Sequence, residues 1–482
     1  MKQLNRKTAA IPKTLPLKVM QFGGGNFLRA FVDWMIQVLN EQTDFNGGVV
    51  IVKPTDRGNY ELLKSQDGLF TVVLDGIKNG NLVAEKKVVS CVTAVINPYT
   101  EWENYLALAH EPSIRFITSN TTEAGIRFNT EDTFDGNPQK EFPAKLTRWL
   151  YQRFQFFNGD KTKGCILLPL ELIEDNGTVL KDTILKNSEH WQLGDAFKQW
   201  IETANYFCNT LVDRIVSGYP TNRKEEIQTS TGNSDQLMVA GEYYHSWVIQ
   251  GSQLVQKELP FDKTTLNVSF VEDLAPYREM KVRILNGAHT AMVPVAYLAG
   301  IRFVKEAMDD TVISNFVETV LYEEAAHTLD FPDMLKHQFV ADVLDRFRNP
   351  LLQHQLISIS LNSTAKFVAR LLPTLKDYYK KEEQLPKRIV FGLSALLLFY
   401  KGAYNGEQID LNDDPEVIDF FRKQWELYTT GEVDLFTVIK SILSNSAIWE
   451  EDLSQLNGLA EMVCQNIGTI NKSDIKNALK GL

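Results

Sequence analysis

Apolar residues in the first half of the chain form two kinds of pattern. Residues 49–52 are an uninterrupted apolar run, which is typical of a strand buried on both faces of a parallel sheet. Beyond residues 23–25, Phe27, Phe31 and Trp34 recur three or four positions apart, which predicts an amphipathic helix. Strands that alternate with helices favour a parallel sheet covered by helices on both faces. We therefore expect an α/β fold with a doubly wound sheet in the N-terminal half.

The same patterns divide the chain into regions. Further strands are expected at 69–74, 88–96, 115–119 and 165–168, and helices at 100–110, 143–157 and 191–209. Residues 238–251 and 266–271 are also strand-like. Helical spacing dominates from Lys281 onwards, at 282–299, 310–324, 334–346, 356–372, 389–400, 415–427, 435–443 and 453–467. We expect a first domain over 1–235, a connector with strands over 236–280, and a mostly α-helical domain over 281–482, with the reactive site in the cleft between the two domains.

Size and composition agree with two domains. A chain of 482 residues exceeds the length at which a single core stops growing. The formal net charge of −11 argues against a nucleic-acid-binding surface. The four cysteines are scattered without C-x-x-C spacing, and no apolar run is long enough to span a bilayer. We expect a cytoplasmic enzyme, monomeric or a small homo-oligomer, with a small-molecule substrate, no nucleic acid or membrane partner and no metal.

Three consecutive glycines, residues 23–25, lie where the first apolar strand meets the amphipathic helix. Glycines there permit a tight turn and let backbone N–H groups approach a pyrophosphate at a helix N-terminus, as in a Rossmann-like domain. Leu28 occupies the third glycine position of the G-x-G-x-x-G fingerprint, so we expect looser packing or a variant turn. Arg29 could neutralise phosphate or face a substrate. The alternative is a glycine-rich corner without a ligand.

The end of the second strand leaves the cofactor type open. An acidic residue there would bind the ribose hydroxyls of NAD. In this chain Lys53, Asp56 and Arg57 follow the run at 49–52. Asp56 would serve if the strand is longer, whereas Lys53 or Arg57 would accommodate the 2′-phosphate of NADP.

Lys281, Asn286 and His289 are candidate catalytic residues. On a helix that turns ~100° per residue, Asn286 lies ~140° and His289 ~80° from Lys281 around the axis. A lysine exchanges a proton, and an amide and an imidazole hold and polarise an oxygen. This set suits the interconversion of an alcohol and a ketone. The alternative is a solvated surface lysine beside a structural histidine.

Three segments carry a family resemblance: 21–31 around the glycine turn, 209–215 (N-T-L-V-D-R-I) and 281–289 (K-V-R-I-L-N-G-A-H). Together they resemble the phosphate loop, the D-R-I signature and the catalytic motif of the polyol-specific long-chain dehydrogenase (mannitol dehydrogenase) family. Segments 31–34, 120–125, 171–177 and 346–350 resemble the tagaturonate reductase subgroup of that family.

The resemblance implies a zinc-independent NAD enzyme with an N-terminal Rossmann domain and a helical C-terminal domain. Lys281 would be the general acid/base, and Asn286 and His289 would position and polarise the reacting oxygen. The expected cofactor-binding residues are Phe22, Gly23, Gly24, Gly25, Asn26, Phe27, Asn120, Thr121 and Asp213. Leu172 stands where mannitol dehydrogenase has an active-site asparagine, and Asn120 or Asn176 are the possible substitutes.

The implied reaction is the NADH-dependent reduction of a hexuronate ketose to an aldonate, D-tagaturonate to D-altronate in that subgroup. The alternatives are fructuronate reduction, oxidation of mannitol or arabinitol, and a non-catalytic nucleotide-sensing protein. The expected substrate-binding residues are Arg283, Lys366, Arg370 and His354. Lys366 and Arg370 are one helical turn apart and are candidates for the substrate carboxylate. By its match to a substrate-contacting lysine of mannitol dehydrogenase, the alternative for Lys366 is to bind a sugar hydroxyl. The positive charge of Arg283 would lower the pKa of Lys281 towards neutrality, and the alternative for Arg283 is a structural ion pair.

Overall fold

The computed structural model describes residues 1–12, 15–122 and 124–482. These form two compact units. The first comprises Met1–Asp75 and Leu82–Leu274, and the second comprises Gly76–Asn81 and Ala275–Leu482. Residues 236–274 therefore belong to the first unit and are not a separate connector. None of the helices in the described ranges has the length and apolar character needed to cross a membrane.

The first unit is built on a six-stranded parallel sheet. We number its strands β1 (Leu17–Phe22), β2 (Gly48–Val52), β3 (Val92–Ile96), β4 (Phe116–Ser119), β5 (Ile166–Pro169) and β6 (Tyr206–Phe207). Their order across the sheet is β3-β2-β1-β4-β5-β6. The order reverses between β1 and β4, which pair with Phe22 opposite Ser119. A doubly wound sheet binds its ligand at such a switch point, outside the carboxyl ends of the strands.

Both faces of this sheet are covered, as the apolar run in β2 predicts. Val49 and Ile51 belong to the hydrophobic core on one face. Val50 and Val52 belong to the core on the other face. Alternate residues of a strand point to opposite faces, so a strand buried on both faces is apolar throughout.

Smaller sheets extend the first unit. One has the order Val216–Gly218, Val239–Glu242, Phe70–Lys78, Asn81–Val89, and another the order Thr210–Asp213, Ser246–Gln250, Val268–Val271. Lys2–Gln3 pairs with Asn233–Ser234. Two of the strands within 236–280 thus pair with strands from the first 235 residues: Val239–Glu242 runs parallel to Phe70–Lys78, and Ser246–Gln250 runs antiparallel to Thr210–Asp213. This pairing is why the boundary between the units falls at residue 274.

The helices of the first unit lie between these strands. The α-helices are Asn26–Leu28, Trp34–Gln42, Glu61–Ser65, Trp102–Ala107, Phe142–Phe156, Asn176–His190, Asp195–Ala204, Lys224–Thr231 and Gln253–Glu258. A π-helical turn, Arg29–Asp33, joins the first two. Short 3-10 turns are Leu108–His110, Lys161–Lys163, Thr221–Arg223 and Phe261–Lys263.

Residues 275–482 of the second unit are helical apart from the two-stranded hairpin Ala403–Tyr404 and Glu407–Gln408. Its α-helices are Ala275–Met280, Gly287–Leu298, Val304–Asp309, Thr311–Thr319, Ala326–Thr328, Asp333–Phe347, Leu356–Ile359, Ser363–Arg370, Leu372–Glu382, Lys387–Phe399, Pro415–Thr429, Leu435–Leu443, Ser446–Trp449, Leu459–Lys472 and Ile475–Lys480. Lys281–Asn286 and Val320–Ala325 are π-helical, and Leu453–Gln455 is a 3-10 turn. At the centre, Gly392 of Lys387–Phe399 approaches Ala291 of Gly287–Leu298: a Cβ built on Gly392 would lie 3.5 Å from the Ala291 Cα.

Candidate functional site

The glycine turn follows β1 at the switch point of the sheet. Gly23 has a φ of +122°, a conformation that favours glycine. Its N–H donates to the Val52 carbonyl at 3.0 Å. The N–H of Gly24 donates to the Tyr60 hydroxyl at 2.9 Å. Gly25 is exposed, and a Cβ built there meets nothing within 4 Å. Hydrogen bonds therefore hold the first two residues of the turn in place, and its third residue is exposed to solvent.

Leu28 explains how this turn departs from the fingerprint. A Cβ on Gly23 would lie 2.7 Å from the Leu28 Cδ1 atom. The Leu28 side chain, which is buried, therefore fills the space that the absent side chain of Gly23 leaves. The helix that starts at Asn26 passes at once into the π-helical turn Arg29–Asp33. The variant turn expected from the sequence is thus formed by a buried leucine and a widened helical turn.

Arg29 is buried and holds the turn from inside. Its Nε donates to the Gly24 carbonyl at 3.1 Å and its Nη2 to the Asn26 Oδ1 at 2.7 Å. Its Nη1 donates to the Leu237 carbonyl. These contacts fix the conformation of the turn. Arg29 supplies positive charge beneath the turn and is not exposed to a substrate.

Gln21 and Asp33 support the same turn. The Gln21 Nε2 donates to the Gly23 carbonyl at 3.0 Å and to the Asp33 Oδ2 at 3.2 Å. Both side chains are fully buried. Burial raises the pKa of Asp33 to about 7, although the Gln21 hydrogen bond and the Arg29 charge oppose this.

Asn120 and Thr121 follow β4 on the other side of the switch point. The Asn120 carbonyl oxygen lies 3.7 Å from the position of a Cβ on Gly23, so the two segments are close. The Asn120 Nδ2 donates to the Leu170 carbonyl at 2.7 Å. The N–H and hydroxyl of Thr121 both donate to the buried Glu171 carboxylate at 3.0 Å. The structure therefore brings the glycine turn and residues 120–121 together at one edge of the sheet.

Other residues expected at the cofactor site have different surroundings. The Phe22 ring is buried and lies 4.8 Å, centroid to centroid, from the Phe142 ring, so only its backbone is available at the turn. Asp213 ends a strand and pairs with Ser246. Asn176 is buried and bridges the Glu171 and Thr210 backbones, with its amide donating at 3.1 Å to each carbonyl. Asn176 is therefore internal, whereas Leu172 is 64% exposed.

The residue that follows β2 is Lys53, since the strand ends at Val52. Its Nζ donates to the Asp56 carbonyl at 3.0 Å and lies 5.9 Å from the Tyr60 ring centroid. The Asp56 side chain is exposed and lies four residues beyond the strand. The extended strand that would make Asp56 a ribose ligand is therefore not formed.

The candidate catalytic residues lie on one continuous helix of the second unit. Lys281–Asn286 is π-helical and Gly287–Leu298 continues as an α-helix. A π-helix is bonded from residue i to i+5, so Lys281 and Asn286 stand one turn apart on the same face. Asn286 and His289 are neighbours at i, i+3. The ~140° separation calculated for a regular α-helix does not apply to a π turn, because bonding from i to i+5 brings Lys281 and Asn286 closer to one face.

His289 is half-buried between two rings. Its ring centroid lies 4.3 Å from that of Phe347 and 5.5 Å from that of His354. Burial lowers the pKa of His354, which favours its neutral form. Two imidazoles and an aromatic ring are thus grouped beside the face that bears Lys281 and Asn286.

Arg283 forms ion pairs. Its Nη2 lies 2.7 Å from the Glu279 carboxylate and its Nη1 lies 2.5 Å from the Asp377 carboxylate. Of the two roles considered for Arg283, the structure supports the structural ion pair. Two carboxylates already neutralise the guanidinium, so it is poorly suited to bind a substrate anion.

Lys366 and Arg370 lie on the helix Ser363–Arg370. It packs against the helix that bears the candidate catalytic residues, Lys281–Asn286 continued by Gly287–Leu298, which we call the catalytic helix. A Cβ on Gly287 would lie 3.2 Å from the Leu371 Cδ2 atom. The Arg370 Nη1 donates to the Thr290 hydroxyl at 3.3 Å, and Thr290 is the residue after His289. The Lys366 Nζ donates to the Ile359 carbonyl at 2.8 Å.

Three residues with roles at these positions were not expected from the sequence: Tyr60, Glu171 and Thr290. Glu171 lies in the 171–177 segment, which the sequence comparison singled out without giving it a role. Tyr60 and Thr290 carry no recognisable signal, because each acts through a contact with a distant residue. Within the described ranges, no group of three or more His, Cys, Asp or Glu side chains could hold a metal ion.

Relatives named altronate oxidoreductase match the chain end to end. The altronate oxidoreductase of Yersinia enterocolitica is 45% identical over 480 residues, which cover 99% of both chains. The enzyme of the same name from Pectobacterium carotovorum is 44% identical over 487 residues and that from Escherichia coli 43% over 483 residues, each covering 100% of both chains.

Solved structures share the fold. A substrate-free D-sorbitol dehydrogenase has a TM-score of 0.81 at 21% identity and covers 99% of this chain and 100% of its own. The Pseudomonas fluorescens mannitol 2-dehydrogenase ternary complex with NAD and D-mannitol has a TM-score of 0.64 at 19% identity and covers 99% of each chain. The mannitol dehydrogenase Rossmann domain matches residues 17–263 and the mannitol dehydrogenase C-terminal domain residues 273–471. The chain therefore belongs to the mannitol dehydrogenase family.

Proposed function

We propose that this chain is an NAD-dependent oxidoreductase that interconverts D-tagaturonate and D-altronate. The observation that carries the proposal is the π turn Lys281–Asn286 continuing into the helix Gly287–Leu298, which puts Lys281, Asn286 and His289 on one helix. It occurs in a chain that is 43–45% identical over its full length to altronate oxidoreductases. The P. fluorescens relative, whose complex contains NAD, supports the choice of cofactor.

The first unit fits a dinucleotide. The first N–H groups of a helix have no intrahelical acceptor, so those of Gly25, Asn26 and Phe27 are available to a pyrophosphate. The open space beside Gly25 lets a phosphate approach the backbone. Asn120 and Thr121, fixed by Leu170 and Glu171, line the same edge of the sheet. We assign the cofactor to this edge.

The second unit supplies the proton and the polar contacts for the reaction. When bound, NADH supplies the hydride that reduces the ketone carbon. Lys281 donates a proton to the oxygen as the carbonyl becomes an alcohol, and accepts it in the reverse direction. Donors from Asn286 and His289 stabilise the negative charge that develops on that oxygen. The ion pairs of Arg283 hold the π turn that carries Lys281 and Asn286.

The proposal is tested by following NADH absorbance with D-tagaturonate, D-fructuronate and D-fructose in parallel. We expect D-tagaturonate to give the highest kcat/KM. Faster reduction of D-fructuronate would assign the chain to fructuronate reduction instead. Equal or better turnover of neutral D-fructose would contradict a uronate substrate.

Replacing the proposed acid tests the mechanism. Lys281→Ala should lower kcat by at least about 100-fold, the lower limit typical of general acid–base catalysis. NADH affinity, measured by fluorescence titration, should not change. Lys423→Ala is the matched control, because Lys423 is an exposed lysine of the second unit paired with Asp419. Near-normal turnover by Lys281→Ala would rule out this role.

A further inference from the structure

Two cations on the helix Ser363–Arg370 lack acidic partners. Among the residues that the structure describes, the Arg370 guanidinium makes a single hydrogen bond, to the Thr290 hydroxyl, and no ion pair. Lys366 likewise makes one hydrogen bond, to the Ile359 carbonyl, and no ion pair. Both side chains are half-buried. An arginine has five N–H donors, so most of the hydrogen-bonding capacity of Arg370 is unused.

Two other arginines of the second unit are neutralised. Arg283 contacts the carboxylates of Glu279 and Asp377, and Arg302 lies 2.5 Å from the Glu407 carboxylate. A partly buried charge is unfavourable unless it is paired. Arg370 and Lys366 differ from these two arginines, since they combine partial burial and positive charge with no ion pair among the described residues.

The electrostatics of the pair favour an anion. Burial lowers the pKa of Arg370. Burial lowers the pKa of Lys366 too, and the positive charge of Arg370 lowers it further. Each cation thus raises the free energy of the other. A bound anion would relieve this repulsion and would replace the water lost on burial.

The nearby acid does not neutralise the pair. Asp413 raises the pKa of Lys366 through its charge. Its carboxylate, however, accepts hydrogen bonds from the Tyr400 hydroxyl and, at 3.1 Å, from the Thr364 hydroxyl. Asp413 therefore fixes the start of the Ser363–Arg370 helix, and among the described residues it forms no ion pair with Lys366 or Arg370.

The pair lies beside the candidate catalytic residues. Thr290, which receives the Arg370 hydrogen bond, directly follows His289 on the catalytic helix. Gly287 of the same helix allows the end of the Ser363–Arg370 helix to approach closely. One substrate molecule would therefore place its anionic group at Arg370 and its reacting oxygen at Asn286 and His289.

We propose that the Arg370 guanidinium is the receptor for the substrate carboxylate, with Lys366 adding a second positive charge. The planar guanidinium binds a carboxylate through two parallel hydrogen bonds, which Thr290 pre-orients by holding Nη1. The assignment rests on the proposed function, because it names the part of the site that selects a sugar acid over a neutral sugar. Arg283 is excluded from this role by its own ion pairs.

The test compares D-tagaturonate with D-tagatose, which carries a neutral CH₂OH group in place of the carboxylate. Arg370→Met should lower kcat/KM for D-tagaturonate by about 100-fold, the loss expected for one partner of a close charge pair. The kcat/KM for D-tagatose should change less than about 3-fold, a difference below 1 kcal/mol. Arg370→Lys should restore part of the loss, because it keeps the charge without the two-pronged geometry.

A direct binding measurement tests the carboxylate site independently of the proposed reaction. Calorimetric titration with D-altronate should show weaker binding to Arg370→Met than to the parent protein, with NADH affinity unchanged. The same substitution at exposed Arg422, which is paired with Asp419, should leave both affinities unchanged. Binding without reduction in the parent protein would contradict the reaction but not the carboxylate site.

Thr290→Val is a second test of the proposal, to be used if Arg370→Met does not fold. It removes the hydrogen bond to the guanidinium and the bond that the Thr290 hydroxyl donates to the Asn286 carbonyl at 3.0 Å. We expect a rise of about 3- to 10-fold in the KM for D-tagaturonate. An effect through the Asn286 carbonyl would act on both sugars, so the KM for D-tagatose should rise less. An unaltered preference for the uronate in Arg370→Met, or equal effects of Thr290→Val on both sugars, would overturn the proposal.

Discussion

Burial raises the pKa of two carboxyl groups, which lie in different parts of the protein, to about 7. Burial raises the pKa of Asp33 to about 7, opposed by the Gln21 amide and the Arg29 charge. Burial also raises the pKa of Glu324 to about 7, although it accepts hydrogen bonds from the N–H groups of Arg388 and Ile389. Glu324 thereby caps the helix Lys387–Phe399, whereas Asp33 lies beneath the glycine turn.

Asp33 should make the stability of the first unit depend on pH. Its pKa in the folded protein is above the unfolded value, so between about pH 4 and 7 the folded state binds more protons. The free energy of unfolding therefore falls as pH rises through this range. We expect the melting temperature of Asp33→Asn to rise relative to that of the parent protein as the pH increases from 5 to 8.

Calorimetric melts at several pH values measure this difference, and each kcal/mol corresponds to about 2–4 °C for a domain of this size. Asp44→Asn is the control, because Asp44 is exposed in the same unit. A constant offset between Asp33→Asn and the parent protein at all pH values would contradict the prediction.

Tyr60 should affect cofactor binding although it is not expected to touch the reacting atoms. Its hydroxyl accepts the Gly24 N–H, so Tyr60→Phe leaves that donor without its partner and loosens the turn. We expect the Kd for NADH to rise about 3- to 10-fold, as for one ordinary hydrogen bond. Fluorescence titration measures it, with Tyr206→Phe as a control on an exposed tyrosine. An unchanged Kd would show that the turn does not need this contact.

The catalytic helix shows which parts of an element can be predicted from sequence. Apolar spacing correctly predicted a helix over 282–299, and the residue types predicted its chemistry. The π turn at Lys281–Asn286 was not predicted, since apolar spacing indicates only a regular helix that turns ~100° per residue. Such turns are short and depend on packing against neighbouring elements, so a helical repeat does not reveal them.

Short strands were the least predictable elements. The expected helix over 191–209 ends at Ala204, and Tyr206–Phe207 is an edge strand of the central sheet. Two adjacent apolar residues after a helix are too few to show a repeat, so they fit the last turn of that helix and a short strand equally well. The expected strand over 88–96 is two strands of different sheets, and the Ser90 N–H between them donates to the Gln37 side chain.

The approach of the Ser363–Arg370 helix to the catalytic helix depends on Gly287. Gly287→Val should push Leu371 and the adjacent Arg370 away, since even a Cβ would lie 3.2 Å from the Leu371 Cδ2. We expect the KM for the uronate to rise by about 10-fold or more, because small misplacements weaken charged contacts.

Gly468→Val is the matched control for that substitution. Gly468 is also a helical glycine of the second unit, but a Cβ there meets nothing within 4 Å. Its kinetics should stay normal. Equal kinetic effects of the two substitutions would contradict a specific role for Gly287.

The two units should respond separately to the two ligands. Hydrogen exchange measured with NADH should slow around residues 22–29 and 119–122, and with D-altronate around 281–290 and 354–370. At 100 times its Kd a ligand adds about 2.7 kcal/mol to the unit that binds it, which slows global exchange there about 100-fold. Protection by D-altronate confined to the first unit would contradict the assignment of the substrate residues.

Across the whole chain, local residue types were predictable and long-range partners were not. The lysine, amide and imidazole at 281–289, and the glycines at 23–25, are visible in the sequence. The ion pair between Arg283 and Asp377 joins residues 94 positions apart, and the contact between Arg370 and Thr290 joins residues 80 apart. Only the folded chain decides that Arg283 is neutralised while Arg370 is not.

The segment Gly76–Asn81 determines where this polypeptide can be divided into fragments. It joins two strands of the first unit, Phe70–Lys78 and Asn81–Val89, yet packs within the second, where the Gly80 N–H donates to the Asp345 carboxylate at 3.3 Å. A gene cut at codon 274 would yield a C-terminal fragment that lacks six of its own contacting residues. Exchange of whole halves between relatives should therefore succeed only when this loop is transplanted together with the C-terminal half.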